Sequence, residues 1–280
     1  MNSFPLTRTV PETARRNGRL SAGSRIVPEE VPIAFSYGGS TQAVMMATPG
    51  DLEDFAVGFS LAEGIIADAA EIEAIEPIAD ERGIDLQITL KHERNEALAV
   101  RRRHMAGPVG CGLCGIESIG EALRRSPSVG ASSLRLSPLE VVEAVALLDG
   151  LQSLHAETRA VHGAGFYVPG QGLVAVREDV GRHNALDKLA GAIARAPVGG
   201  TRHAGTTGAV VVTSRVSVEM VQKTAVLGSP FIIAISAPTA LAIRTADEAS
   251  MTLVALVRGS DFEIFTHPHR IQTGAVADVA

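Results

Sequence analysis

Apolar and polar positions along the 280-residue chain follow two different rhythms. In the first, VPIAFSYGGSTQAVMMAT (residues 31–48) reads as two strands meeting at Gly38-Gly39, a pair able to take the backbone angles of a hairpin turn. Thr48 is expected to cap a following helix, with Pro49 at its first position and Asp51, Glu53 and Asp54 favouring its positive end. Leu52, Phe55, Ala56 and Phe59 recur at helical spacing, and Gly64 is a natural stop. IDLQITL and ALAVRRR alternate as strands across the polar turn KHERNE. These features predict a small α+β subdomain over residues 26–106. Residues 1–25 carry no period and are expected to be a flexible tail, as are residues 272–280.

The second rhythm begins after a linker-like SVGASS. Ser137, Pro138 and Glu140 open a long aliphatic helix, SPLEVVEAVALLDGLQSL. GAGFYVPG and GLVAVRE then read as strands, NALDKLAGAIARA as a helix and TGAVVVT as a strand buried on both faces. EMVQKTAVLG (helix), FIIAISA (strand), PTALAIRTADEA (helix) and TLVALVRG (strand) follow. Unbroken β-branched runs alternating with helices predict a mainly parallel sheet covered on both sides, a three-layer α/β core domain over residues 136–271. Residues 107–135 form the loop and linker between the two units. In open α/β sheets, ligands bind beyond the carboxyl ends of the strands. There the sequence offers REDVGRHNALDK, TSRVSVE and SAPTALA. Ser217, Ser236 and Thr239 are expected to cap helices, and helix N-termini accept anions. Simple capping explains such residues equally well; Arg182, His183 and Arg215 at the same edges point to an anionic ligand.

Composition adds limits. Apolar residues make up 46% of the chain and charged residues 20%, as in a globular protein. No apolar run has the length of a membrane span, and the arginines near the N-terminus precede no apolar block, so no secretory signal is expected. A formal net charge of −6 disfavours nucleic acid as a general partner. Two cysteines cannot staple a scaffold of this size, and a reduced, cytoplasmic setting is expected.

Both cysteines lie in GPVGCGLCG (residues 107–115). Gly110, Gly112 and Gly115 flank Cys111 and Cys114 and cannot pack, so the segment reads as an exposed loop whose thiols react or bind metal. A structural zinc site needs about four ligands, and this pair would have to recruit distant histidines such as His104 or His162. A redox pair of the thioredoxin kind expects its motif at the start of a helix in a βαβ unit. The third option is a nucleophilic thiolate that carries a group, activated by positive charge such as Arg101, Arg102, Arg103 and His104. His155-Ala156-Glu157 reproduces the H-x-E of zinc deaminases, but downstream of the cysteines rather than upstream.

GCGLCG, REDVGRHNALDK, SVEMVQKTA, SAPTALAIRTADEA and FEIFTHPHRI, with MMATPGDLEDFAVGFSLAEGII near the start, resemble the formate dehydrogenase accessory sulfurtransferases (FdhD) from about residue 30 to residue 271. The resemblance implies a cytidine deaminase-like α/β/α fold without zinc chemistry. It also implies a sulfurtransferase that takes sulfur as a persulfide from a cysteine desulfurase. The sulfur then passes to the molybdenum bis(molybdopterin guanine dinucleotide) cofactor, for use by formate dehydrogenase or a related molybdenum or tungsten enzyme. Carried over, Cys111 bears the persulfide with Cys114 as partner, and Phe262, Glu263, Ile264, Phe265, Thr266 and His267 match the cofactor-binding segment. Arg182 and His183 join that set as basic groups at the sheet edge. A homodimer without nucleic-acid or membrane partners is implied. Two departures concern the local backbone: Ser214 stands where the family has glycine, and Ala160-Val161-His162 replaces a T-G-G-V-H-like run. Two alternatives remain, a cofactor-binding chaperone that carries no sulfur and a zinc-dependent deaminase-like hydrolase.

Overall fold

A computed structural model describes residues 4–94, 125–195, 197–198, 201–202 and 205–272. Its first element corrects the expected tail. Thr7–Arg16 (β1) and Arg19–Pro28 (β2) pair antiparallel along their whole length, from Thr7↔Pro28 to Arg16↔Arg19. The turn is Asn17-Gly18, with φ of 51° and 80°. Two successive left-handed residues match the twist of the flanking strands, and Asn-Gly is the dipeptide that adopts them most readily. The signal is present in the sequence, but arginine, threonine and serine occupy positions where alternating apolar residues were sought. The hairpin is largely exposed and is tied at its base by Glu29 N–H donating to the Leu6 carbonyl at 2.8 Å.

The next unit is a four-stranded sheet under one helix. Val31–Tyr37 (β3) and Ser40–Ala47 (β4) form the expected hairpin around Gly38-Gly39, and Leu52–Ala62 (α1) follows. Ile72–Asp80 (β5) and Gly83–Leu90 (β6) complete the order β4-β3-β6-β5, with β3 and β6 parallel. β5 escapes the sequence reading because IEAIEPIAD carries three acids and a proline; as an edge strand it tolerates both. β6 lies between β3 and β5; ALAVRRR, its expected partner, lies outside the described residues. Thr48 does not cap α1. Asp51 takes the N-cap position at φ 52° without a side-chain capping bond, and Thr48 is drawn inward to a different task.

The core domain opens with Pro138–Leu151 (α2), capped as expected: Ser137 and Glu140 form a reciprocal capping box. The predicted long helix breaks at Gln152, and Ser153–Thr158 (α3) is a separate turn and a half. His162–Val168 (β7) and Gly172–Asp179 (β8) form a hairpin, followed by Arg182–Arg195 (α4) and a two-residue pair, Pro197–Val198 (β9) with Thr201–Arg202 (β10). Ala209–Val212 (β11), Val218–Leu227 (α5), Phe231–Ala234 (β12), Ala240–Glu248 (α6), Thr252–Arg258 (β13) and Asp261–Ile264 (β14) complete the chain. The sheet order is β14-β13-β12-β11-β7-β8. Only β11-β12 and β12-β13 are parallel; the flanking pairs are antiparallel, so the expected mainly parallel sheet is mixed. Period-2 alternation decides which layer each residue joins. Val210, Val212, Ile232 and Leu253 pack beneath α4, α5 and α6, whereas Val211, Ile233 and Val254 pack beneath α2. The result is the predicted three-layer α/β core.

Helices α1 and α4 join the two units at backbone distance. A Cβ built at Gly58 would lie 1.7 Å from the Asp187 carbonyl oxygen, and one at Gly191 would lie 1.8 Å from that of Asp54. These two glycines let the helices touch main chain to main chain. Around the contact, Asp54 accepts from Arg177 and Arg195, each at 2.6 Å.

Candidate functional site at the carboxyl edge of the sheet

The segment REDVGRHNALDK, spanning the end of β8 and the start of α4, divides its polar residues between two jobs. Asp179, Asn184 and Lys188 are buried and satisfied. Lys188 Nζ, with no exposed surface, donates to Asp179 Oδ2 at 2.7 Å and to the Thr48 carbonyl at 2.8 Å. Thr48 N–H donates to the same Asp179 oxygen at 3.0 Å. Asp179 Oδ1 accepts from Gly181 N–H and from Asn184 Nδ2, which also donates to the Met46 carbonyl. This network ties the β4–α1 junction to the β8–α4 junction. The sequence reading gave these residues no task, although a lysine among apolar helical positions is itself a sign of a buried pair.

Arg182 and His183 do the opposite. They extend to the carboxyl edge, where β7 begins and β11 and β12 end. Among the described residues, neither Arg182 nor Arg215 has a hydrogen-bond or ion-pair partner for its guanidinium. His183 Nε2 lies 3.0 Å from Glu219 Oε2 in the first turn of α5. Burial pushes the His183 imidazole down to about 4, with Arg182, Lys223 and His162 acting in the same direction and Glu219 opposing them. At neutral pH the ring is uncharged. Its Nδ1 is enclosed and has no hydrogen-bond partner. Ser217 precedes α5 at the N-cap position but makes no capping bond, and its Oγ is likewise enclosed and unpartnered. His162, at the start of β7, is also held below the usual histidine range, by burial first and then by Arg182. Thr239 does cap α6, accepting from Ala242 N–H; Ser236 caps nothing.

The C-terminal segment lies elsewhere. β14 runs antiparallel to β13 at the edge of the sheet, so Thr266 and His267 fall at the amino end of the parallel strands, across the sheet from Arg182 and His183. Phe262 and Ile264 pack against the α2 layer and Phe265 against the α4–α6 layer, while Glu263 is exposed. Thr266 is buried; its hydroxyl donates to the Met251 carbonyl at 2.6 Å and accepts from Leu253 N–H at 2.9 Å. His267, at φ 46°, places Nε2 3.0 Å from the Asp247 carbonyl oxygen. The eight predicted binding residues therefore form two groups at opposite edges. Cys111, Cys114 and the basic run 101–104 lie outside the described residues. His155, of the H-x-E motif, lies on α3 with Nδ1 3.1 Å from the Val161 carbonyl oxygen.

Both the sequence and the fold as a whole have counterparts among known proteins. Residues 28–272 fit the model of the FdhD/NarQ family. The chain belongs to this family. A relative from Agrobacterium fabrum, named sulfur carrier protein FdhD, is 61% identical over 264 residues, covering 94% of this chain and 96% of the relative. A Brucella abortus protein of the same name is 56% identical, covering 97% of this chain and 99% of its own length. A solved structure from Desulfotalea psychrophila, described as a formate dehydrogenase accessory protein, superposes with a TM-score of 0.74 at 27% identity, covering 96% of this chain and all of that one. No helix among the described residues is long and apolar enough to cross a membrane.

Proposed function

We propose that this FdhD-family protein is a sulfur carrier that serves a formate dehydrogenase. In this reading Cys111 takes sulfur from a cysteine desulfurase and delivers it to the molybdenum bis(molybdopterin guanine dinucleotide) cofactor. The observation that carries the proposal is the 61% identity with a protein named sulfur carrier, in a chain whose only cysteines are Cys111 and Cys114. Acceptance is a thiol exchange. The Cys111 thiolate attacks the outer sulfur of the donor's persulfide, the donor's S–S bond breaks, and the donor cysteine leaves as thiolate. Attack of Cys114 on the inner sulfur then closes a Cys111–Cys114 disulfide and releases the outer sulfur as hydrosulfide at the cofactor. Arg182 and Arg215 supply unpaired cationic donors for phosphates, and His267 and Glu263 offer polar contacts at the other edge.

The test is mass spectrometry of the cysteine peptide after incubation with a desulfurase and cysteine. Wild type should gain a single sulfur on Cys111, Cys111→Ala none, and Cys114→Ala should still gain it while client activation falls. A Cys111→Ala protein that fully activates formate dehydrogenase in cells would overturn the proposal. Protein that binds the cofactor yet never acquires persulfide would instead identify a chaperone.

A further inference from the structure

The four-stranded sheet β4-β3-β6-β5 buries only one of its faces. Met45, Phe35, Leu86 and Ala79 join the core beneath α1. Their strand neighbours Val44, Ala34, Asp85 and Ile78 point the other way, where no element among the described residues covers them. Val44, Met46 and Ile78 are each about half exposed there. The register sets Val44 opposite Ala34, Ala34 beside Asp85, and Asp85 opposite Ile78. A carboxylate thus sits within an aliphatic row, with Glu76 exposed close by. Asp85 Oδ2 accepts from Gln87 at 3.1 Å, whereas Oδ1 is enclosed and has no partner. Clustered exposed apolar side chains rimmed by polar ones mark association surfaces.

The hairpin β1-β2 is the second uncovered element. It hydrogen-bonds to no other strand, and a lone two-stranded hairpin is barely stable in water. Its register sorts its side chains. One face carries Arg8, Glu12, Arg16, Arg19 and Arg25 and leans on the body, where Arg25 donates to the Thr158 carbonyl at 3.2 Å. The opposite face carries Thr9, Thr13, Arg15, Leu20, Ala22 and Ile26, and all six are exposed. Near the tip, Leu20 is 72% exposed and stands opposite Arg15, whose guanidinium has no partner among the described residues. A cation beside an aliphatic side chain is the complement of Asp85 beside Val44 and Ile78.

We infer that the Thr9–Ile26 face of the hairpin seats on the open Val44–Ile78 face of a second copy of this chain. Leu20 and Ile26 cover Val44, Met46 and Ile78, and Arg15 pairs with Asp85 once a turn of that side chain presents Oδ1. The signs of charge select this pairing: two open sheets would set carboxylate against carboxylate, and two hairpin tips would set guanidinium against guanidinium. Each copy owns one hairpin and one sheet. A two-fold exchange therefore covers both faces on both copies, and the assembly closes without leaving an end to extend. The contact is independent of the sulfur-carrier reading, because it involves neither cysteine nor the carboxyl edge of the central sheet.

The experiment measures the dimer dissociation constant of the full-length protein by sedimentation velocity across a concentration series. Leu20→Asp, which places a carboxylate against the acidic sheet, and Val44→Asp should each weaken the dimer by at least about tenfold, since like charges brought together at an interface are costly. Both positions are exposed, so the circular dichroism of the variants should match wild type; if Val44→Asp fails to fold, Leu20→Asp at the hairpin tip carries the comparison. Arg15→Glu and Asp85→Arg should each weaken association in the same way. The double variant Arg15→Glu with Asp85→Arg should regain most of the lost affinity, a rescue that damage to either element alone would not produce. A wild type that stays monomeric overturns the proposal, as does a dimer indifferent to Leu20→Asp, which would have to meet through other surfaces. Charge reversal without rescue in the double variant overturns it too. Persulfide labelling of Cys111 is followed in the same samples, and its absence in wild type would defeat the sulfur-carrier reading while leaving the dimer result to stand or fall separately.

Discussion

Lys188 shows how far a single side chain can reach in this fold. Its ammonium group has no exposed surface and holds Asp179 and the Thr48 carbonyl together, with the Phe55 ring centroid 5.4 Å away. Removing one member of a buried pair strands the other, at about 3–5 kcal/mol. Lys188→Met should therefore lower the melting temperature by roughly 10 °C in calorimetry; a shift of only a degree or two would mean that the pair adds little. His183 has an opposite signature, in pH. Its folded value of about 4 lies below the ordinary 6.5, so between these limits the unfolded chain takes up a proton that the folded chain refuses. Stability should fall as pH is lowered through that window and lose nothing further from this group below it. His183→Leu should flatten the slope between pH 7 and 5 in urea unfolding, with His162, shifted the same way, accounting for part of the remainder. An unchanged slope would place the titration elsewhere.

At the scale of elements, the most exacting contact is the α1–α4 crossing. Gly58→Ala or Gly191→Ala would drive a methyl group into a carbonyl oxygen of the opposite helix. Relief requires the helices to part, and each variant should cost about 1–3 kcal/mol or more in denaturant unfolding. Unaltered stability would show that the crossing yields easily. Sequence patterns foretold elements well where periodicity and caps agreed: α2 with its Ser137–Glu140 box, the Gly38-Gly39 hairpin, and the buried runs of β11, β12 and β13. They failed where polar composition masked an element, as in β1, β2 and β5, and where a residue suited to a local role served a distant one, as Thr48 does. Strand direction at the flanks of the sheet was likewise invisible, because apolar runs look alike in parallel and antiparallel pairs. The candidate edge itself was legible from the positions of Arg182, His183 and Arg215. That His183 is neutral was not, since this depends on burial outweighing the opposing carboxylate of Glu219, both products of the tertiary fold.

For the molecule as a whole, the N-terminal hairpin has an electrical consequence. Thr7–Pro28 carries five arginines, at positions 8, 15, 16, 19 and 25, against one acid, Glu12. That is four net positive charges on a chain whose formal total is −6, which leaves the remainder near −10. The protein is thus a charge-separated object, with a slender positive arm on a negative body. Such an object turns in the field of an approaching macromolecule before contact, and presents the arm first to an acidic surface. Salt shortens the range of this alignment to about 8 Å at physiological ionic strength. Association with an acidic partner should accordingly slow as salt rises, and deleting residues 1–28 should remove most of that dependence in stopped-flow binding. The truncated protein should also elute later from an anion exchanger; unchanged elution would mean that the body hides the arm's charge.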